Sequence, residues 1–277
     1  MLALACMLAL PAQAASTTLE RIRSRGAIVM GYIEDGVPFS SLGADGTPQG
    51  YAVDLCREIA AGVAAQLQLP KLETRWVALT VQDRLDAIRA GRVDIECSTT
   101  TWTLTRQSSV DFSLIVFVDG GNILIRDGVA PRRLADFGGK RIAVIEGTTT
   151  DKALRDALAQ RGIGAEVVTV QSRMEGLELL DASKVDGFAS DRTPLIGIVE
   201  SSATRSRFRL LDEDFSVEQY AFALARGDHD FRLAVNRVLA RLYRSGDIMR
   251  IYNQSLGALG PPSLLLSATY FIQSLAE

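Results

Sequence analysis

The side chains best placed to do chemistry in this sequence are arginines, one aspartate and short runs of hydroxyl residues. Arg106 carries a planar fork of N–H donors that suits a carboxylate bidentately; as a surface cation it would instead pair with Asp111. The run Ser98-Thr-Thr-Thr101 leads to it, and Thr99 and Thr101 offer hydroxyl and backbone donors, although four such residues also make a capped turn. Gly147-Thr148-Thr149 stands before a helical pattern. Free N–H groups and hydroxyls there form an anion site, and Thr149 serves equally as a helix cap. Asp191 ends an apolar run just ahead of another helical pattern, as an acid facing a cation or as a cap.

Other chemistries are disfavoured. His229, in the polar run Arg226-Gly-Asp-His-Asp230, is the only histidine, so histidine-rich metal sites are excluded and a nucleophile would have one base at most. No metal or cofactor is expected. The net charge of −3 removes the basic surface that polyanion binding needs, so nucleic acid is not an expected partner. A length of 277 residues suits one large domain or two ordinary ones.

The first fourteen residues, Met1 to Ala14, are an apolar run ending Ala12-Gln-Ala14. They are too few to cross a bilayer, which takes about 20, and fit a secretion signal cut after Ala14. The expected compartment is the periplasm. Export would leave Cys56 and Cys97, one within an apparent helix and one at a strand end; the expectation is two buried free thiols.

Short β-rich runs alternate with amphipathic stretches. Strands are predicted at 28–32, 73–77, 93–97, 121–125, 141–145, 166–170, 187–189 and 221–224, and helices at 53–66, 82–90, 149–161, 174–180, 193–201 and 231–243. In the last helix Phe231, Ala234, Val235, Val238, Leu239 and Leu242 keep the i, i+3, i+4 spacing. This alternation predicts α/β architecture with largely parallel sheets. Residues 83–98 also align without gaps on residues 175–190, sharing Leu85/Leu177, Ala90/Ala182, Val93/Val185, Asp94/Asp186 and Ser98/Ser190. Each copy reads as helix, tight turn and strand, which predicts two related lobes whose strand ends face one cleft.

The runs Gly31-Tyr-Ile-Glu-Asp-Gly-Val-Pro-Phe-Ser40, Gly46-Thr-Pro-Gln-Gly-Tyr-Ala-Val-Asp-Leu55, Arg106-Gln107 with Asp111-Phe-Ser113, and Glu146-Gly-Thr-Thr149 carry a resemblance. Together they resemble the amino-acid-binding proteins of ABC importers, solute-binding family 3. Glu96-Cys-Ser-Thr-Thr-Thr101 and Ile115-Val-Phe-Val118 are most similar to its glutamate/aspartate-binding branch. The resemblance runs from about Leu19 to Tyr252.

It implies a two-lobed periplasmic binding protein fold of type II, each lobe a mostly parallel sheet flanked by helices, with two hinge strands. The lobes would comprise residues 15–119 with 222–277, and residues 120–221; the crossings would lie near 118–122 and 217–222. It further implies a monomer that captures a polar amino acid, acidic ones included, and delivers it to an inner-membrane permease. Arg106 would hold the α-carboxylate, flanked by Thr99, Thr101, Thr148 and Thr149, and Asp191 the ammonium. Arg84 matches a position that contacts a distal carboxylate, and Arg173 stands where the branch has a histidine. Ile33 and Val81 replace an arginine and a serine of the branch, which weakens the expectation of an acidic ligand. Trp102 would pack on the ligand or on the protein.

A rival with the same fold is an enzyme resembling cyclohexadienyl dehydratases, with Glu34, Glu146 or Glu175 as general acid. An aspartate at 191 favours an ammonium ligand over that rival. The apolar tail from Leu264 to Ala276 is too short to span a membrane and is expected to pack on a lobe or to fray.

Overall fold

A computed structural model describes residues 17–129, 131–200 and 205–276. The expected secretion signal, with Cys6, lies outside the described residues. In chain order the first part comprises α1 (Thr18–Arg25), β1 (Ala27–Ile33), β2 (Asp35–Gly36), β3 (Ser40–Leu42), β4 (Pro48–Gln49), α2 (Tyr51–Gln66), β5 (Glu73–Leu79), α3 (Arg84–Arg89), β6 (Ile95–Glu96), α4 (Leu104–Gln107) and β7 (Val110–Asp119). The middle holds β8 (Gly121–Arg126), β9 (Arg141–Ile145), α5 (Thr149–Gln160), β10 (Glu166–Val170), α6 (Arg173–Asp181), β11 (Gly187–Asp191), α7 (Arg192–Glu200) and β12 (Phe208–Leu210). The chain then returns through β13 (Glu218–Ala225), α8 (His229–Ser245), α9 (Asp247–Leu256) and α10 (Leu264–Ile272).

Two five-stranded sheets result, ordered β5-β1-β6-β13-β7 and β10-β9-β11-β8-β12. The orders correspond position by position, and the two repeated helix-turn-strand units supply the central strands β6 and β11. Each sheet is mixed but mostly parallel, four strands pointing one way and one against them. β1 runs parallel to β5 and β6, and β9 parallel to β10 and β11, but β13 and β8 are antiparallel to their neighbours. The reason is topological: β8 and β13 each enter a sheet from the other lobe, and so run against strands laid down by local helical crossovers.

The chain passes from β7 to β8 at Gly120, and on its return Glu218, Gln219, Tyr220 and Ala221 pair with β7 in the first sheet. The two crossings touch: a Cβ on Gly120 would come within 2.6 Å of the Asp214 carboxylate, so only glycine lets the segments approach this closely.

The first lobe buries Ile28, Met30, Leu55, Ile59, Phe117, Phe222, Phe231 and Leu239 in one core and Ile33, Leu79, Ile88 and Phe112 in another. The second has a core on each face of its sheet, around Leu124, Phe188 and Leu195 on one and Ile123, Phe137 and Leu154 on the other. Sheets covered by helices on both faces read as continuous apolar runs, which is why β9 and β11 were legible.

Cys56 and Cys97 form a disulfide, with Cα atoms 6.2 Å apart, instead of two free thiols. Helix α2 lies on the first sheet and brings Cys56 over the end of β6, a juxtaposition that local pattern does not encode. The tail folds as α10 and packs on the first lobe through buried Leu266 and Tyr270. The side-chain amide of Gln273 pairs with both backbone groups of Ile115, accepting from its N–H at 2.8 Å and donating to its C=O at 2.9 Å. Strand β7 is a sheet edge, and this contact closes part of it.

Candidate functional site

Between the lobes lies a cavity of about 20 Å³, smaller than any amino acid, lined from both sides. Val81, Arg84, Thr99 and Thr101 come from the first lobe; Thr148, Thr149, Arg173 and Asp191 come from the second. Ligand entry therefore requires the lobes to part.

The repeated units account for two walls. β6 ends at Glu96 and continues into Ser98-Thr-Thr-Thr101, while β11 ends on Asp191. The polar ends of these central strands meet because the lobes face each other across the crossings. A third wall is the N-terminus of α5, where Thr148 caps the helix by accepting from the Asp151 N–H at 3.0 Å. Thr149, one residue in, points across the cleft: its hydroxyl lies 3.0 Å from Thr101 Oγ1 and 2.8 Å from Glu218 Oε2.

Arg84, on the first turn of α3, is buried, and its guanidinium makes only long contacts, both 3.4 Å, to Ser98 Oγ and the Thr99 carbonyl. Burial pushes its pKa down, partly offset by the Glu96 carboxylate and reinforced by Arg173. Glu96 is fully buried and accepts from Thr100 Oγ1 at 2.8 Å and from Ser98 Oγ. Arg173 begins α6 in the other lobe, 5% exposed. It reaches back to Asp35 of β2, with its backbone N–H 3.0 Å and Nη1 3.4 Å from that carboxylate, and Nη2 lies 3.4 Å from Thr99 Oγ1. Its Nε is buried with no hydrogen-bond partner among the described residues.

Arg106 stands behind Thr101, outside the innermost cavity. Helix α4, capped by Thr103, aims it so that Nη1 donates to the Thr101 carbonyl at 2.8 Å. Burial and the neighbouring Arg84 charge bring its pKa down to about 10, against the pull of Glu218, Glu96 and Asp191. It stays charged near neutrality.

Asp191 is buried and doubly held. Thr150 Oγ1 donates to Oδ1 at 2.7 Å and Tyr220 Oη to Oδ2 at 2.5 Å. Tyr220 belongs to β13, so an acid of one lobe is fixed by a strand of the other. Glu218, two residues earlier, accepts from Thr101, Thr149 and Ser216. Burial, then the nearby Asp191 charge, raises its pKa.

Besides Arg106, expected to hold a carboxylate, further sequence readings do not reach the cavity. Ile33 lies in the core with Leu79, Ala87 and Ile88, its side chain consumed by packing. Trp102 is exposed on an outer groove, because the short bridge from Thr101 to Tyr220 turns it outward. Glu34, Glu146 and Glu175, the acids of the enzymatic rival, are exposed and none lines the cavity. Conversely Glu218, Tyr220, Asp35 and Asp119 were missed. They carry no local motif; Glu218 and Tyr220 lie on a strand whose predicted start was Ala221.

The fold and the site define a two-lobed ligand-binding protein with a charged, hydroxyl-rich cleft at its hinge. The chain belongs to the bacterial extracellular solute-binding proteins, family 3, whose profile matches residues 28–258. It is 29% identical over 246 residues to an L-glutamate/L-aspartate-binding protein of Pseudomonas aeruginosa, covering 88% of this chain and 82% of that one. Among solved structures, a mutant of ArgBP from T. maritima matches at TM-score 0.76 and 25% identity, covering 86% of this chain and 99% of the other. An ancestral amino acid-binding protein, a precursor of cyclohexadienyl dehydratase, matches in fold at TM-score 0.74 and 23% identity, over 87% and 99%.

Proposed function

We propose that this protein captures an amino acid with an acidic side chain in the periplasm and hands it to an ABC importer. The observation that carries the reading is the pair of buried guanidiniums, Arg84 and Arg173, presented by opposite lobes to one cavity that also holds Asp191. Their donors are poorly spent among the described residues: Arg84 has 3.4 Å contacts alone and Arg173 Nε has none. A buried guanidinium lacking good acceptors is costly, and a carboxylate repays that cost.

In this reading Arg106 and the Thr101 loop hold the α-carboxylate with Thr149, and Asp191 receives the ammonium. Arg84 and Arg173 grip the distal carboxylate, compensating for the apolar Ile33 and Val81. Relatives named as binding proteins, together with the absence of Glu34, Glu146 and Glu175 from the cavity, favour capture over catalysis. Closure is a hinge motion driven by the ligand's greater affinity for the closed form.

Thermal melting with the 20 amino acids tests this: L-glutamate or L-aspartate should raise the midpoint, and Arg106→Ala should abolish every shift. No shift with any amino acid, with turnover of prephenate or arogenate, would transfer the chain to the dehydratase class.

A further inference from the structure

Asp119 ends β7 at the first crossing, and its carboxylate Oδ2 lies 3.2 Å from Tyr220 Oη, whose other neighbour is Asp191 Oδ2 at 2.5 Å. A tyrosine hydroxyl has one proton to give. Spent on Asp191, the closer acceptor, it leaves the Tyr220 oxygen facing Asp119 Oδ2 with lone pairs on both sides. A proton on Asp119, donated to the Tyr220 oxygen, makes that contact favourable.

The remaining surroundings of Asp119 pull both ways: its hydrogen-bond donors favour the carboxylate, while burial and the Asp191 charge favour the acid. Its carboxylate accepts from the Gly120 and Thr193 N–H groups and from the Thr193 hydroxyl, all neutral donors. From β13 it faces Tyr220 and lies across from Glu218; from β11 it faces Asp191. The neighbouring cation on α7, Arg192, is committed to Asp214 in an ion pair of 2.8 Å. Three acids thus crowd one tyrosine, with the Arg84 and Arg106 charges acting on Asp191. Burial, and then the Asp191 charge, push the Asp119 pKa up to about 7.

Asp119 also lies on a partition. Asp191 lines the cavity, while Asp119 lines a separate groove of about 660 Å³ behind the hinge, with Gly120, Thr193 and Phe215. A proton leaving Asp119 has a route to water that does not cross the ligand.

We propose that Asp119 holds a proton which the ligand's ammonium displaces on arriving at Asp191, so that amino-acid capture at the hinge is coupled to proton release. The proposal rests on the reading that Asp191 receives an ammonium. In the step the Asp119 O–H bond breaks, its proton passes to water in the rear groove, and the ammonium keeps all three of its own. The cation replaces the proton as the charge that reconciles Asp119 with Asp191. Asp119 acts through Tyr220 and Asp191 and is a positioning residue.

The test is calorimetric titration with L-glutamate, L-aspartate and L-glutamine at pH 5.5 to 8, in two buffers of different ionisation enthalpy. For each probe that binds, the wild-type affinity should rise by up to about tenfold per pH unit below pH 7 and level off above it, with buffer-dependent heat reporting a released proton. Asp119→Asn should bind with neither pH slope nor proton release, whereas Glu218→Gln should retain both. A wild-type affinity flat across this range overturns the proposal while leaving the binding function intact, and so does loss of the release in Glu218→Gln. Failure of all three probes to bind instead removes the acidic-amino-acid reading and the proposal with it. Carboxyl ¹³C spectra of the wild-type protein provide a check that needs no variant to fold by itself: they should show an aspartate titrating near neutral pH, and its absence overturns the proposal.

Discussion

Arg84 and Arg173 approach the same cavity from different lobes, and their effects should differ from that of Arg106. Replacing either by Met keeps volume and removes the charge. Affinity for glutamate or aspartate should fall by about 2–5 kcal/mol, while glutamine loses much less, because only the distal carboxylate loses its partner. Equal losses for glutamate and glutamine in calorimetry would place that arginine on the common head of the ligand. Thr149→Val removes the hydroxyl that spans the cleft to Thr101 and Glu218, and should weaken binding by about 1 kcal/mol for every ligand. Of these residues, Arg106, the threonines and Asp191 were expected from a family pattern of types and order; the fold brings the threonines and Asp191 to the cavity and leaves Arg106 behind Thr101. Glu218 and Tyr220 were not, since their contacts are made across more than 100 residues in the case of Glu218 with Thr101, and across 29 for Tyr220 with Asp191.

The elements bearing these residues were largely legible, β9 and β10 to the residue, because buried strands and two-faced helices carry their period in the local sequence. Strand β7 was not predicted; its Val110–Asp119 run lacks a clean period of two because it bends through register shifts against β13. The disulfide between α2 and the end of β6 spans 41 residues, so reducing it removes a sizeable constraint on the unfolded chain. Reduction, or Cys56→Ala with Cys97→Ala, should cost up to about 4 kcal/mol, read as a lower denaturant midpoint. At the other edge, Gln273→Ala leaves the N–H and C=O of Ile115 without their shared partner. It should destabilise the protein by about 1–2 kcal/mol in the same measurement, with ligand affinity unchanged.

Across the whole molecule, the contacts that bridge the lobes belong to one closed arrangement: Arg173 with Asp35, Thr149 with Thr101, and Gln82 Nε2 with the Gln171 carbonyl at 3.1 Å. An amino acid does not enter that arrangement without opening it. Solution scattering should therefore give a smaller radius of gyration with saturating ligand than without it. The hinge also predicts a stability profile. A carboxyl whose pKa is raised on folding keeps its proton in the native state after the unfolded chain has released it, so stability falls as pH climbs from about 4 toward 7. Asp119→Asn should flatten that part of the profile in thermal melts and be more stable than wild type at pH 8. An unchanged slope would mean that the proton is held elsewhere.

Sequence alone determined the α/β alternation, the internal repeat that supplies the central strand of each sheet, and the roll of charged and hydroxyl residues at strand and helix ends. Those features are set by local periodicity and by residue chemistry, which a chain carries in any conformation. The pairing of Cys56 with Cys97, the withdrawal of Ile33 into a core, the outward turn of Trp102 and the cluster of Asp119, Asp191, Glu218 and Tyr220 were decided only by the tertiary structure. Each depends on where two crossings bring distant segments together, and no local pattern of side chains specifies that distance.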